Sequence, residues 1–99
     1  MTSVDTPVTA VLNLLGRRWM LRVIWELQQG PVGFRELRRR CDDMSSSVLS
    51  ERLRELREAN VMETGEDGVY RLTGLGRRLA ETLLPLSGWA RDWADTRSV

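Results

Sequence analysis

Between residues 34 and 59 the sequence predicts two short helices separated by a tight turn, and this arrangement limits the fold more than any other feature. Each helix is indicated by apolar residues at helical spacing: Phe34, Leu37 and Cys41 in the first, and Val48, Leu49, Leu53 and Leu56 in the second. Asp42-Asp43-Met44 has the residue types of a turn. Ser45 is a good N-cap for the second helix, which is predicted over 46–59.

A β-hairpin is predicted directly after these helices. The β-prone runs 61–64 and 69–73 are separated by the turn sequence Gly65-Glu66-Asp67-Gly68. Two helices joined by a short turn and followed by a hairpin have the layout of a winged helix-turn-helix. In that fold the second helix enters the major groove of DNA. The helix-turn-helix would span about 34–59 and the wing about 61–73.

Further helices are predicted on both sides of this motif. Apolar residues at helical spacing indicate a first helix that ends at Gly16, a second, buried helix over 18–29, and a last helix over about 74–94. Pro85 is expected to kink or break the last helix. We therefore predict one domain over 1–99 that is mainly α with a small β-hairpin: a winged helix-turn-helix with flanking N- and C-terminal dimerisation helices.

The composition excludes several classes of function. The chain has no histidine and one cysteine, which excludes within one chain a Cys/His zinc site, a Ser-His-Asp triad and a Cys-His pair. We therefore expect no enzyme, no metal and no cofactor. The longest uncharged run, 6–16, is far shorter than the ~20 apolar residues of a membrane span. The N-terminus lacks the basic region of a signal peptide, and a single cysteine cannot form an internal disulfide, so a cytoplasmic location and no membrane partner are expected.

The net charge of +1 argues against nucleic acid as a partner until it is mapped along the chain. Residues 17–57 carry ten arginines and six acids, whereas residues 58–99 carry five arginines and seven acids. The basic excess therefore coincides with the predicted helix-turn-helix. All 15 basic residues are arginine, the better bidentate ligand for phosphate and guanine, although a GC-rich genome would produce the same bias.

Several short motifs resemble the HxlR-type winged-helix transcription regulators of bacteria. They are Gly16-Arg17-Arg18-Trp19, Gly30-Pro31, Phe34-x-Glu36-Leu37, Ser45, Leu49-x-x-Arg52-Leu53-x-x-Leu56, Tyr70-x-Leu72-Thr73-x-x-Gly76 and Trp89. The signal lies in their order and spacing, which extend from about Leu12 to Trp89. The resemblance implies a dimeric DNA-binding repressor or activator whose first and last helices form the dimer contact.

The sequence departs from this family's pattern in three places. The hairpin lacks the longer, proline-containing arm of the family. The wing carries Glu63, Glu66 and Asp67, with Arg71 as its only basic residue, so a strong contact between wing and phosphate is not expected. Many members carry a sensing cysteine near the N-terminus, and this chain has none there.

The predicted DNA contacts are polar residues of both helices of the motif: Arg35, Arg38, Arg39, Ser46, Ser47, Ser50, Arg52 and Arg54. The arginines of the first helix would bind phosphates, and Arg52 and Arg54 would read guanine. The serines would approach bases or phosphates at the helix start. The structural alternatives are helix capping for the serines and, for the arginines, ion pairs with nearby glutamates, such as Glu36 with Arg40.

The first and last helices carry more apolar surface than one small core needs to cover. Their apolar residues are the predicted dimer interface: Val8, Val11, Leu12, Leu15, Leu83, Leu86, Trp89 and Trp93.

Two further features have a functional and a structural interpretation. Cys41 is a candidate redox sensor because Arg39 and Arg40 precede it, but it shares an apolar face with Phe34 and Leu37 and also fits a core position. The four tryptophans would either line an aromatic effector pocket or pack in the core and the dimer contact: Trp19, Trp25, Trp89 and Trp93.

Together these features predict a DNA-binding transcriptional regulator that acts as a homodimer on a pseudo-palindromic operator. Its partners would be double-stranded DNA and a second copy of the chain, with the recognition helix 46–59 in the major groove. The alternative is a winged-helix module for protein interaction or dimerisation without sequence-specific DNA binding. The acidic wing and the glutamates of 46–59 favour that alternative. A small-molecule effector is compatible with the first prediction.

Overall fold

The computed structural model describes residues 6–97, which form six helices and one antiparallel hairpin in the predicted order. The elements are α1 (Thr6–Leu15), α2 (Met20–Leu27), α3 (Phe34–Arg40), α4 (Ser46–Glu58), β1 (Met62–Thr64), β2 (Tyr70–Leu72), α5 (Gly74–Leu83) and α6 (Leu86–Arg97). The chain is therefore mainly α with a small β-hairpin, as the sequence predicts.

The core is built around α2, the most centrally placed helix. Met20, Val23 and Ile24 are fully buried on α2. They pack with the buried leucines of the two following helices: Leu37, Leu49, Leu53 and Leu56. Each such side chain contributes roughly 1.5–3 kcal/mol through removal of apolar surface from water. This shared core packs α3 and α4 against α2.

The hairpin closes one side of this core. Met62 pairs with Leu72 in the β1–β2 register, and both side chains are buried. Val32 adds a short third strand segment, because it exchanges two backbone hydrogen bonds with Tyr70, of 3.0 and 2.8 Å. The loop before α3 is thereby attached to the hairpin.

The joint between α4, the hairpin and α5 depends on close backbone packing. Asn60 adopts the left-handed conformation that is common just after a helix end, with φ of 63°, and α4 ends before it. Thr73 Oγ1 donates to the Asn60 carbonyl at 2.7 Å and accepts from the Gly76 N–H at 3.0 Å. Gly76 lies so close to the Val61 carbonyl that a Cβ would overlap with it. Gly76 is therefore a packing glycine.

The start of α2 differs from the prediction. A helix was expected from residue 18, but Trp19 has φ of 73°, and α2 begins only at Met20. This left-handed residue makes a sharp turn after α1, and it lets the half-buried Trp19 pack against the core.

The predicted last helix is two helices. Pro85 has no N–H to donate, and the helix is interrupted at residues 84–85, between α5 and α6. The predicted break is confirmed. The second helix, α6, extends to Arg97, which is beyond the predicted end near residue 94.

Neither α1 nor α6 contains a fully buried residue, so both helices project from the core. Within residues 6–97, every helix is too short or too polar to cross a membrane.

Candidate nucleic-acid interface

The turn between α3 and α4 holds the two helices of the motif together. Asp42 and Asp43 both have positive φ, of 59° and 55°, which aspartate tolerates better than most residues. Arg38 Nε donates to the Met44 carbonyl at 2.6 Å, and the Asp43 N–H donates to the Arg38 carbonyl at 3.0 Å. Arg38 is half-buried and therefore has a structural role in the turn, in addition to any contact with phosphate.

The start of α4 is exposed and polar. The Val48 N–H donates to Ser45 Oγ at 3.4 Å, which confirms Ser45 as the N-cap. Ser46, Ser47 and Ser50 are all exposed on the first turns of α4. Free N–H groups at a helix start and small hydroxyls beside them suit a phosphate or a base edge.

The other three arginines of α3 differ in their partners: one is free, and two are paired with Glu36. Arg35 is exposed and has no hydrogen bond or ion pair with any described residue. Arg39 Nε donates to Glu36 Oε1 at 2.9 Å, and Arg40 Nε donates to Glu36 Oε2 at 3.1 Å. These hydrogen bonds, led by the one from Arg39, lower the pKa of Glu36 to about 2. The predicted pairing of Glu36 with Arg40 is present, and Arg39 joins it.

On α4, Arg54 is held between two glutamates. It contacts Glu51 through two nitrogens, and its NH1 donates to Glu58 Oε2 at 2.6 Å. The hydrogen bonds that Arg54 donates lower the pKa of Glu51. About half of the Arg54 side chain is exposed. A base or phosphate could therefore reach its guanidinium only in competition with these carboxylates.

Arg52 follows the structural alternative, an ion pair with a glutamate of its own helix. Its side chain is only 12% exposed, and its guanidinium is paired with Glu55, which is 13% exposed. It cannot reach a base edge from this position without leaving the ion pair. The sequence contained a signal for this: Arg52 follows Leu49 by three residues and precedes Leu56 by four, at the edge of the buried stripe.

Two contacts were not found by sequence reasoning because they join distant elements. Arg57 NH2 donates to Thr64 Oγ1 at 3.0 Å, which ties the end of α4 to the wing. Arg17, between α1 and α2, forms an ion pair of 2.8 Å with Glu55 on α4. Spacing along one helix gives no information on such pairs.

The wing is short and acidic, as predicted. Asp67 accepts from the Val69 N–H at 3.2 Å and lies 3.4 Å from Arg71 NH2. The hydrogen bond from Val69 lowers the pKa of Asp67, with a smaller effect from Arg71. The one arginine of the hairpin is therefore engaged by its own turn, and Glu63 and Glu66 are exposed.

Cys41 lies in the core. Its side chain has no exposed surface, and burial raises the pKa of the thiol. A protonated, enclosed thiol is poorly reactive, which favours the packing role over the redox role.

The predicted dimer residues differ in their exposure. Large apolar side chains are exposed on α1 and α6: Val8, Val11, Leu12, Leu86, Trp89 and Trp93. Leu15 and Leu83 are half-buried and pack against the core. Trp89 is 60% exposed and stacks on Trp93, with ring centroids 6.0 Å apart. Arg97 covers the Trp93 ring at 4.5 Å.

An apolar cavity of about 340 Å³ lies where α1, α5 and the end of α4 meet. Its lining residues are Val11, Leu14, Ala59, Val61, Leu75, Arg78, Leu79 and Thr82. None of the four tryptophans lines it, so it is not the aromatic pocket considered above. Trp19 packs against the core and Trp25 is half-buried, and both are far along the chain from the exposed Trp89–Trp93 stack.

Comparisons with known proteins agree with this architecture. The family model described as HxlR-like helix-turn-helix matches residues 14–98. The chain is 34% identical over 90 residues to YvaP of Bacillus subtilis (strain 168), named an uncharacterized HTH-type transcriptional regulator, with 85% of this chain and 83% of that protein covered. The sequence and the fold therefore point to the same family of proteins.

Solved structures give the same result. The quinone-bound YodB of B. subtilis superposes with a TM-score of 0.80 at 29% identity, covering 90% of this chain and 99% of that one. A possible HxlR family transcriptional factor from Thermoplasma volcanium GSS1 also has a TM-score of 0.80, at 27% identity. The match covers 93% of this chain and 87% of that one. The chain belongs to the HxlR-like helix-turn-helix family, and it is a winged helix-turn-helix transcriptional regulator.

Proposed function

We propose that this protein regulates transcription as a homodimer that binds a pseudo-palindromic DNA operator in the cytoplasm. The observation that carries the proposal is the exposed, serine-rich start of α4, together with the exposed, unpaired Arg35 of α3 in the same helix-turn-helix. A helix start with free N–H groups attracts phosphate, and an unpaired guanidinium on α3 offers a further phosphate contact. In a dimer, α4 of each protomer would enter successive major grooves about one helical turn apart.

The DNA contacts divide into two groups by their chemistry. Arg35, Arg38 and Arg39 would bind phosphates beside the groove and set the position of the protein. Ser46, Ser47, Ser50 and Arg54 would approach the bases from α4. Arg52 is left out of this group because it is buried against Glu55.

The dimer contact would come from α1 and α6. Both helices expose apolar side chains that the protomer's own core does not cover, including the Trp89–Trp93 stack. Exposed groups of large apolar side chains are typical of protein interfaces. Burial of Val8, Val11, Leu12 and Leu86 against a second copy would complete the apolar cover of both helices.

DNA binding is tested by selecting genomic fragments and measuring affinity by fluorescence anisotropy at several salt concentrations. We expect the selected fragments to share a site with two half-sites. Their affinity for the protein should be well above that of a scrambled fragment. Arg35→Ala should weaken binding to all sequences and reduce the salt slope by about 1. The matched control Arg78→Ala removes an exposed arginine of α5 and should change neither quantity by as much.

The alternative function is a module for protein interaction or dimerisation. Binding that is weak, insensitive to sequence and unchanged by Arg35→Ala would contradict the DNA proposal and favour this alternative.

A further inference from the structure

Glu55 on α4 connects two parts of the molecule that are far apart in the sequence. One of its oxygens pairs with Arg52 on the same helix, and the other lies 2.8 Å from Arg17 NH2. Arg17 belongs to the segment between α1 and α2. Glu55 is 13% exposed and Arg17 is 49% exposed, so the carboxylate is largely enclosed while the Arg17 guanidinium remains half open to solvent.

The Arg52–Glu55 pair is expected to add little to the stability of the protomer. Arg52 Nε is buried and has no hydrogen-bond partner among the described residues. An unsatisfied buried donor is unfavourable, and buried ion pairs often add little net stability. The pair does, however, fix Glu55 in one orientation, with its second oxygen towards Arg17.

The Arg17–Glu55 ion pair lies close enough to the end of α1 to influence the direction of that helix. Helix α1 ends at Leu15, and Trp19 then makes the left-handed turn into α2. No residue of α1 is fully buried; Leu14 and Leu15 pack against the core, and Val11 and Leu14 line the cavity between α1 and α5. A charge contact two residues beyond the end of α1 therefore restricts the angle that α1 makes with α4.

We propose that Glu55 and Arg17 are positioning residues that set the angle between α1 and α4. This inference rests on the proposed function, in which α1 joins the two protomers and α4 enters the DNA. The angle within each protomer then determines the distance between the two recognition helices of the dimer. The Arg17–Glu55 contact thereby determines which half-site spacing the dimer accepts.

The test is a spacing profile of DNA binding for Arg17→Gln and a matched control, Arg18→Gln. Both variants remove one positive charge from neighbouring exposed residues, and Arg18 makes no hydrogen bond or ion pair within residues 6–97. Affinity is measured for the selected operator, for operators with one or two base pairs added or removed between the half-sites, and for a single half-site.

We expect wild type and Arg18→Gln to prefer the natural spacing by about tenfold, the size of a typical coupling between sites. Arg17→Gln should lose most of that preference while its half-site affinity equals that of Arg18→Gln. Arg17→Lys keeps the charge and should keep the preference. Thermal unfolding of the two glutamine variants should coincide, which shows that the change is not a loss of folding.

Equal spacing profiles for Arg17→Gln and Arg18→Gln would overturn the inference and leave the proposed function intact. If the wild type were a monomer, or bound every fragment alike, the proposed function would fail first and this inference with it.

Discussion

At the residue scale, Glu36 competes with DNA for two arginines of α3. It accepts hydrogen bonds from Arg39 and Arg40, so phosphates would have to displace it. We expect Glu36→Gln to raise DNA affinity several-fold and to steepen the salt slope by about 0.9 for each additional phosphate contacted. The measurement is an anisotropy titration of a fixed operator between low and moderate salt.

Glu66→Gln is the matched control for this variant. It removes one negative charge from an exposed position of the wing, where no described residue pairs with it. If both variants raised affinity equally, the effect would be one of net charge, and Glu36 would not be withholding Arg39 and Arg40 from DNA.

The same glutamate gives stability a defined pH dependence. Its pKa is about 2 in the folded protein, against an ordinary value of 4.5. Because the unfolded chain binds the proton more readily, the Glu36 contribution is present above about pH 4.5 and is lost as the pH falls towards 2. Urea unfolding at pH 6, 4 and 3 should show that the stability difference between wild type and Glu36→Gln shrinks with falling pH. A difference that stays constant would contradict this.

At the scale of elements, two glycines allow a direct test of the joint between the wing and α5. A Cβ on Gly76 would overlap with the Val61 backbone, whereas a Cβ on Gly88 in α6 meets no atom within 4 Å. Gly76→Ala should lower the free energy of unfolding by about 3 kcal/mol or more, because backbone must move. Gly88→Ala should raise it by up to about 1 kcal/mol, because alanine favours the helix.

Chemical unfolding of both variants gives these two numbers under one set of conditions. A Gly76→Ala protein as stable as wild type would show that the joint adapts without strain, contrary to the packing role assigned to this glycine.

The identity and order of the elements were predictable, because each is marked by local chemistry. Ser45 and Thr73 cap their helices, Asn60 ends α4, and Pro85 breaks the last helix. The start of α2 was not predictable, because the left-handed Trp19 follows from packing of its ring against the core and not from a turn-forming residue type.

At the scale of the whole molecule, the projecting α1 and α6 determine whether the chain associates. Trp89 is exposed in the protomer, so Trp89→Glu should leave the fold intact and remove the proposed dimer contact. Sedimentation velocity at micromolar concentration should show a dimer for wild type and a monomer for the variant. Circular dichroism of the two proteins should be the same.

Leu21→Glu is the control for this prediction. Leu21 is an exposed apolar residue of α2 outside the proposed interface, so this variant should remain a dimer. A Trp89→Glu protein that sediments like wild type would contradict the assignment of α6 to the interface.

The sequence by itself determined the winged helix-turn-helix architecture, because caps, turn residues and apolar spacing act over a few neighbouring residues. It also placed the basic excess on the motif. Only the tertiary structure decided what each arginine does. Arginine is long and flexible, so its partner depends on which acids the fold brings within reach. Arg35 remains free, Arg54 is held by its own helix, and Arg52 is turned inward, where Glu55 also receives Arg17 from a distant segment.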